Sequence, residues 1–369
     1  PITASFSGDK GESVYEVDMR NVVKGSIKVK LTAFPSVVSD LLTGADGILR
    51  EPGGCFEQTS MSSYPNAMVM DYLKTSESKD EKLLAYAGDM LDRGYKRLVT
   101  FETSQKGYEW FGKAPGHQGL TAYGLMQFND LKKVYEGVDQ KMIDRTATWI
   151  LSQRDGKGKF NRNSYALHDF GSISDEVMNG YIVYALAEAG YGSQLKKEAE
   201  ESYLTAMKNK DPYQLAMSVN ALYVMQDKNA EKALGELLSK QNNDGSFDGT
   251  THSITHSTGN SLKIETTSLA IMAMLKSPNK NSIATNKAIA YLVKNRNGYG
   301  SFGNTQGTVL ALKAMTEYAK ANKATPEDGK VEFFVDGKKV AEQSYKAGEK
   351  EAIVLDSLEQ FVKEGKHTL

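Results

Sequence analysis

Apolar residues follow two different rhythms along this chain of 369 residues. Near the start, Ser26-Ile27-Lys28-Val29-Lys30-Leu31-Thr32 alternates apolar and polar side chains, which predicts a strand with one wet face. Val14, Tyr15 and Val17 predict a shorter strand before it. From about residue 35 to 322 apolar residues recur at three and four, as in Tyr181 to Ala189, Leu215 to Met225 and Ile264 to Leu275. That spacing predicts helices. From about 328 the alternation returns. Val331 to Val340 encloses Asp336-Gly337 and predicts a hairpin, and Ala352 to Leu355 predicts one more strand. Strand before and strand after a helical block suggest a helical domain inserted into a β-domain whose two ends pair with each other.

Within the helical block a loop phrase returns. It reads Gln105-Lys106-Gly107-Tyr108-Glu109-Trp110-Phe111, then Gln153-Arg154-Asp155-Gly156-Lys157-Gly158-Lys159-Phe160. It comes back as Gln241-Asn242-Asn243-Asp244-Gly245-Ser246-Phe247 and Asn295-Arg296-Asn297-Gly298-Tyr299-Gly300-Ser301-Phe302. The closing phenylalanines are 49, 87 and 55 residues apart. The long interval fits two units of about 43, with a degenerate junction near Asn209-Lys210-Asp211-Pro212. Such a period of helix pairs marks a helical repeat array. At each phrase a helix ends, Gly or Asn takes the left-handed cap, and the aromatic is expected to tuck between neighbouring hairpins. About six hairpins can close into an α/α toroid or stay an open solenoid, and spacing does not separate the two.

Composition narrows the function classes. Hydrophobic residues make up 40% and charged residues 25%, enough for an ordinary globular core. Lys plus Arg (45) nearly balance Asp plus Glu (46), so nothing electrostatic points to nucleic acid or an acidic membrane. No apolar run reaches the ~18–20 residues of a membrane span. The chain opens at Pro1 in polar sequence without a signal peptide and is read as a piece of something larger.

The single cysteine carries the sharpest signal. Cys55 stands in Glu51-Pro52-Gly53-Gly54-Cys55-Phe56-Glu57-Gln58-Thr59-Ser60, with a glutamine three residues on. It cannot form an internal disulfide, which leaves a free thiol, an intermolecular bridge or chemistry with another side chain. A Cys-x-x-Gln pair can lose ammonia and close a thioester between Cys55 Sγ and Gln58 Cδ. The Gly-Gly turn lets the backbone bring the two together, and a helix start favours the thiolate. The bland alternative is a small buried thiol.

Other candidates are weaker. His168 follows a loop phrase, and a neutral imidazole there is a competent nucleophile or base if the loops converge; otherwise it is a solvated loop residue. His252 and His256 have a zinc-like spacing of four but no visible third ligand, and no metal or cofactor is expected. Glu265 is expected in the first turn of an apolar helix, where the dipole favours a carboxylate. Tyr64, Tyr108, Trp110 and Phe111 are expected in the core, with shielding of the Cys55 site as the alternative.

Gly54-Cys55-Phe56-Glu57-Gln58 resembles the thioester signature of the alpha-2-macroglobulin and complement thioester proteins. The flanking Pro52-Gly53, Ser63-Tyr64-Pro65-Asn66, Gly107-Tyr108-Glu109-Trp110-Phe111-Gly112, Ala114-Pro115-Gly116-His117 and Leu120-Thr121-Ala122-Tyr123-Gly124 are similar to its bacterial branch. So are Thr251-His252-Ser253-Ile254-Thr255 and Glu265-Thr266-Thr267-Ser268-Leu269-Ala270. The resemblance implies a mainly α fold: an α/α toroid of about six hairpins, the thioester domain, over 35–325. Strand segments 1–34 and 326–369 would belong to a β-sandwich of the CUB type. It further implies a bacterial periplasmic, cell-surface or secreted protease inhibitor or defence protein, a covalent trap and not an enzyme. Its partners would be target proteases or nucleophile-bearing surfaces and the other domains of a longer chain, with no nucleic acid. His168 falls where some complement proteins carry a histidine that first accepts the acyl group, which implies hydroxyl or water reactivity. Phe56 departs from the glycine of the vertebrate signature, although bacterial members often have a bulky apolar residue there. Two other readings stay open: a toroid enzyme of the terpene cyclase or prenyltransferase kind, whose aromatic-ended repeats Gln241 to Phe247 resembles, and a non-covalent binding module with an inactive motif.

Overall fold

The computed structural model describes residues 14–20, 23, 28–33, 47–76, 78, 80–163, 170, 173–279, 281–297, 300–321, 328–347 and 353–369. The chain divides into two compact units. One is drawn from both ends, Pro1–Thr43 and Ala319–Leu369, and the other spans Gly44–Tyr318.

The larger unit is helical, and its helices are of two kinds. α1 (Phe56–Thr75), α3 (Gln118–Lys132), α5 (Asp175–Leu186), α7 (Pro212–Val224) and α9 (Gly259–Lys276) bury most of their circumference. In α7 burial runs unbroken from Pro212 to Leu222, and in α9 from Ile264 to Met274. Helices that are buried all round belong inside. α2 (Glu81–Leu98), α4 (Gln140–Ser152), α6 (Lys196–Asn209), α8 (Ala230–Leu238) and α10 (Ser282–Lys294) each bury one stripe. In α2 that stripe is Ala87, Met90, Leu91, Gly94, Tyr95 and Leu98, the three–four spacing of an amphipathic surface helix. The inner helices pack on each other in chain order, α1 on α3, α3 on α5, α5 on α7 and α7 on α9, while each outer helix packs on an inner one.

The last inner helix, α11 (Thr305–Ala321), returns to the first two. Lys313 Nζ lies 2.7 Å from Asp130 Oδ2 of α3. The Tyr64 hydroxyl of α1 donates to the same oxygen at 2.6 Å, and Tyr123 of α3 donates to Gln306 of α11 at 2.7 Å. These contacts close the array into a toroid.

The loop phrases all join an outer helix to the next inner one, so they gather at the end where the inner helices begin. Their true register differs from the one read off the phenylalanines. The backbone N–H groups of Tyr108, Phe160, Phe247 and Phe302 donate to Thr121, Asn179, Thr267 and Thr308 respectively, each at 2.9–3.0 Å. All four aromatics are buried. The first unit is therefore anchored by Tyr108, whereas Phe111 is 62% exposed, contrary to its expected place in the core. Two extra aromatics after Tyr108 hid the equivalence. The junction at 209–212 carries no phrase, because Lys210 caps α6 in the left-handed region (φ 55°) and Asp211 caps α7 with Pro212 at its first position.

In the smaller unit the strands from the two ends pair antiparallel. β1 (Glu16–Asp18) pairs with β6 (Lys366–Thr368), and β2 (Leu31–Ala33) with β5 (Ile353–Leu355). β3 (Gly329–Val335) and β4 (Lys338–Tyr345) form the hairpin, turning at Asp336 (φ 51°) and Gly337 (φ 77°), the left-handed pair that a two-residue hairpin loop needs. Phe333, Val335, Leu355, Leu358 and Val362 form its core, flanked by Met19, Val29 and Leu31. The strand predicted from Ser26 begins outside the described residues at Ser26 and Ile27, and among the described residues Lys28 to Lys30 lie outside the ladder that Leu31 to Ala33 forms with β5.

Candidate functional site

Cys55 is the N-cap of α1, extended at φ −74° and ψ −178°, and it is 7% exposed. Gln58 is then the third helical residue. Its side chain folds back so that the Cys55 backbone N–H donates to Gln58 Oε1 at 3.1 Å. This is the returning half of a capping box, made with glutamine. Gly54 makes the fold-back possible in two ways. Its φ of +83° is a glycine conformation, and a Cβ at Gly54 would lie 2.1 Å from Gln58 Oε1 and 2.9 Å from Gln58 Cδ. The Gln58 carboxamide thus rests on the bare α-carbon of Gly54, immediately before the cysteine.

Side chains distant in sequence hold this turn from both sides. Arg97 of α2 donates from Nε to the Gly54 carbonyl at 3.1 Å and to Thr59 Oγ1 at 3.2 Å, and its Nη2 also reaches the Gly54 carbonyl. Thr59 Oγ1 in turn donates to Gly53 O at 3.0 Å. On the other side, the Phe56 N–H donates to the Trp110 carbonyl at 2.9 Å, and the Trp110 indole N–H donates to Glu57 Oε2 at 2.6 Å. Glu57 and Trp110 are buried. The Phe56 ring packs among Tyr108, Phe101 and Phe128, with centroids 5.0, 6.1 and 6.5 Å away. It lies against Gly124, where a Cβ would come within 2.7 Å of Phe56 Cζ. A bulky residue between cysteine and glutamate is accommodated because the facing helix offers no side chain.

His117, fully buried, caps α3 beside Trp110, their ring centroids 5.2 Å apart. Its Nδ1 accepts the Leu120 N–H at 3.2 Å, so the neutral ring carries its proton on Nε2, which has no hydrogen-bond partner among the described residues. Burial, helped by the Arg162 charge, lowers His117 to about 4. His168 lies outside the described residues. Its described neighbours in sequence are docked here: Asn163 pairs with Gln118 and Gly116, and the Phe170 ring packs on Trp110, His117 and Tyr123.

The remaining candidates have contacts of their own. His252 and His256 stack at 5.1 Å, and His252 Nε2 accepts the Ser174 N–H at 3.3 Å. Among the described residues no three His, Cys, Asp or Glu gather as metal ligands. Glu265 is not in a first turn: α9 begins at Gly259. Gly259 to Ser261 are polar, so no apolar period marked the helix start. Glu265 is wholly buried, and burial raises its carboxyl to about 7, opposed by hydrogen bonds from Ser257, Ser253 and Asn304.

The arrangement brings a thiol and a carboxamide three residues apart to a helix N-terminus, where the dipole favours negative charge on sulfur or oxygen. Arg97 carried no sequence signal of its own, and His117 only that of closing the Ala114-Pro115-Gly116-His117 motif. Trp110 carried a weak one, as an aromatic of the first loop phrase read as core or as shielding of the Cys55 site.

A family model described as the A-macroglobulin TED domain matches residues 27–318. The chain is similar to Thioester-containing protein 1 allele S1 of Anopheles gambiae, 23% identical over 308 residues, covering 80% of this chain and 22% of that protein. Allele R1 of the same protein is 25% identical over 305 residues, with the same coverage. Alpha-2-macroglobulin-like protein 1 of Mus musculus is 21% identical over 336 residues, covering 84% of this chain and 22% of that protein. The chain thus spans about a fifth of the length of these relatives. No helix among the described residues is long and apolar enough to cross a membrane. With a family model covering most of its length, this chain belongs to the A-macroglobulin TED domain family.

Proposed function

We propose that Cys55 and Gln58 close an internal thioester and that this domain is the covalent-capture part of a longer protease inhibitor or defence protein. The observation that carries the reading is the fold-back at Gly54. It holds the Gln58 carbonyl oxygen 3.1 Å from the backbone N–H of Cys55, the residue whose thiol would attack. In closing, Sγ bonds to Cδ and the carboxamide nitrogen leaves as ammonia, taking the thiol proton. In capture, an amine or hydroxyl of the target bonds to Cδ and the Cys55 thiolate departs and is protonated. Holding the reactants at one turn replaces an encounter with an intramolecular step.

His168 is the proposed acceptor that passes the acyl group to hydroxyls. The resemblance, in which His168 falls where some complement proteins carry such a histidine, is what supports this role. The proposed partners are attacking proteases or nucleophile-bearing surfaces, met outside the cytoplasm: in the periplasm, at the cell surface or after secretion. The resemblance to the bacterial branch supports that setting, and it supports a CUB-type β-domain built from the paired chain ends.

Intact mass tests the reading. Freshly prepared chain should be one ammonia light, methylamine should abolish the deficit while releasing one titratable thiol, and Cys55→Ala should show neither effect. A full-mass chain that never forms an adduct with methylamine overturns it.

A further inference from the structure

We propose that Arg97 activates the Gln58 carbonyl from a distance, by polarising the peptide bond between Gly54 and Cys55. The inference rests on the thioester reading and adds to it a residue that touches neither sulfur nor carboxamide.

The contacts form one line. The Arg97 guanidinium donates to the Gly54 carbonyl oxygen through Nε at 3.1 Å and again through Nη2. That oxygen and the Cys55 N–H are the two ends of one peptide unit. The Cys55 N–H donates to Gln58 Oε1 at 3.1 Å. Pulling electron density onto the Gly54 oxygen makes the Cys55 N–H a stronger donor, because hydrogen bonds in series polarise one another. Charge-assisted bonds do so more than neutral ones.

The direction of the effect follows from where charge develops. When Sγ attacks Cδ to close the ring, the electron pair of the carbonyl moves onto Oε1. The intermediate collapses as ammonia leaves. When an amine later attacks the same carbon, the pair returns to Oε1 before the thiolate leaves. In both directions the oxyanion forms at the atom the Cys55 N–H faces, so this amide serves as its oxyanion donor. Ring closure and ring opening therefore share one stabiliser, and Arg97 sets its strength. Thr59 keeps the guanidinium in line: it accepts from Arg97 Nε at 3.2 Å and donates to Gly53 O.

The test measures, in the 369-residue chain, the rate at which methylamine opens the closed bond, followed by intact mass on the ammonia-deficient fraction alone. Arg97→Met should open roughly five-fold more slowly and Arg97→Gln about three-fold, from the share of an oxyanion donor's effect that serial polarisation commands. Arg97→Lys, which keeps a charged donor, should recover most of the rate. Thr59→Val should stay within about two-fold. Melting temperature read beside the rates separates loss of fold from loss of activation, and if Arg97→Met does not fold, Arg97→Gln decides. Variants that carry the closed bond and open at the wild-type rate overturn the role of Arg97 alone, as does Arg97→Lys opening as slowly as Arg97→Met. A wild-type chain at full mass that never forms an adduct with methylamine removes the thioester reading, and this inference with it.

Discussion

Lys313 and Asp130 stand 183 residues apart in sequence and 2.7 Å apart in space, with both side chains more than nine-tenths buried. Burial alone would raise the Asp130 carboxyl, yet the Lys313 and Lys133 ammonium groups hold it well below the usual carboxylate range. Removing Lys313 leaves the buried Asp130 carboxylate with only the half-exposed Lys133 and the Tyr64 hydroxyl as partners. Lys313→Ala should lower stability by about 3–5 kcal/mol in urea unfolding. Lys133→Ala removes a half-exposed lysine from the same carboxylate and should change stability by less than about 1 kcal/mol. Equal effects from the two would mean that ring closure does not depend on Lys313.

Gly54→Ala places a Cβ on the Gln58 carboxamide and forces an unfavourable φ. The turn lies at a helix start, so the helical fold should survive with a loss of about 1–3 kcal/mol. The mass deficit should disappear. A Gly54→Ala chain that still loses ammonia at the wild-type rate would show that the Gln58 fold-back is not needed.

Trp110→Phe keeps the ring packing and deletes the indole N–H that meets the buried Glu57 carboxylate. The expected loss is about 1–3 kcal/mol, with a smaller closed fraction at equal protein age. Glu57→Gln, which leaves the amide oxygen to accept from Trp110, should fall between Trp110→Phe and the wild type. Thermal melting and intact mass read the two effects.

Two buried groups give opposite pH dependences. His117 is held near 4 by burial, against 6.5 when exposed, so its neutral form stabilises the fold above 6.5 and that contribution is lost as pH falls toward 4. Glu265 is raised to about 7 from 4.5, so its contribution is complete below 4.5 and lost as pH rises through 7. Between these limits each slope approaches about 1.4 kcal/mol per pH unit, with opposite sign, and the two nearly cancel. Glu265→Gln should therefore make the chain lose stability on acidification from pH 7 to 5, and His117→Gln should make it gain. Melting temperatures across that range check both signs.

The parts of the fold legible in sequence were those written in periodicity. The three–four spacing from Tyr181 to Ala189 and the Asp336-Gly337 turn are local statements about which faces are dry. Closure of the ring was legible only through the family resemblance and not in the spacing, because Lys313, Asp130 and Tyr64 each look like ordinary residues of their own helix until the helices meet. The repeat register was misread at Phe111 because the marker is a backbone N–H held by Thr121, which composition does not reveal. At the candidate site, Cys55, Gln58 and Gly54 were readable as one phrase. Arg97 and Trp110 reach the phrase from 42 and 55 residues away, counted from Cys55, and only the folded chain shows that they arrive.

The pairing of the chain ends has a mechanical consequence. In β1 with β6, and again in β2 with β5, the outermost residues of one end oppose the outermost residues of the other: Glu16 meets Thr368 and Leu31 meets Leu355. A pull between the two ends peels these short ladders open one rung at a time, as a zipper does, and at modest force. Until they part, tension runs through the paired strands and bypasses the covalent path from Gly44 to Tyr318. The toroid that carries Cys55 and Gln58 is thus sheltered from load on the chain by its attachment as a side loop.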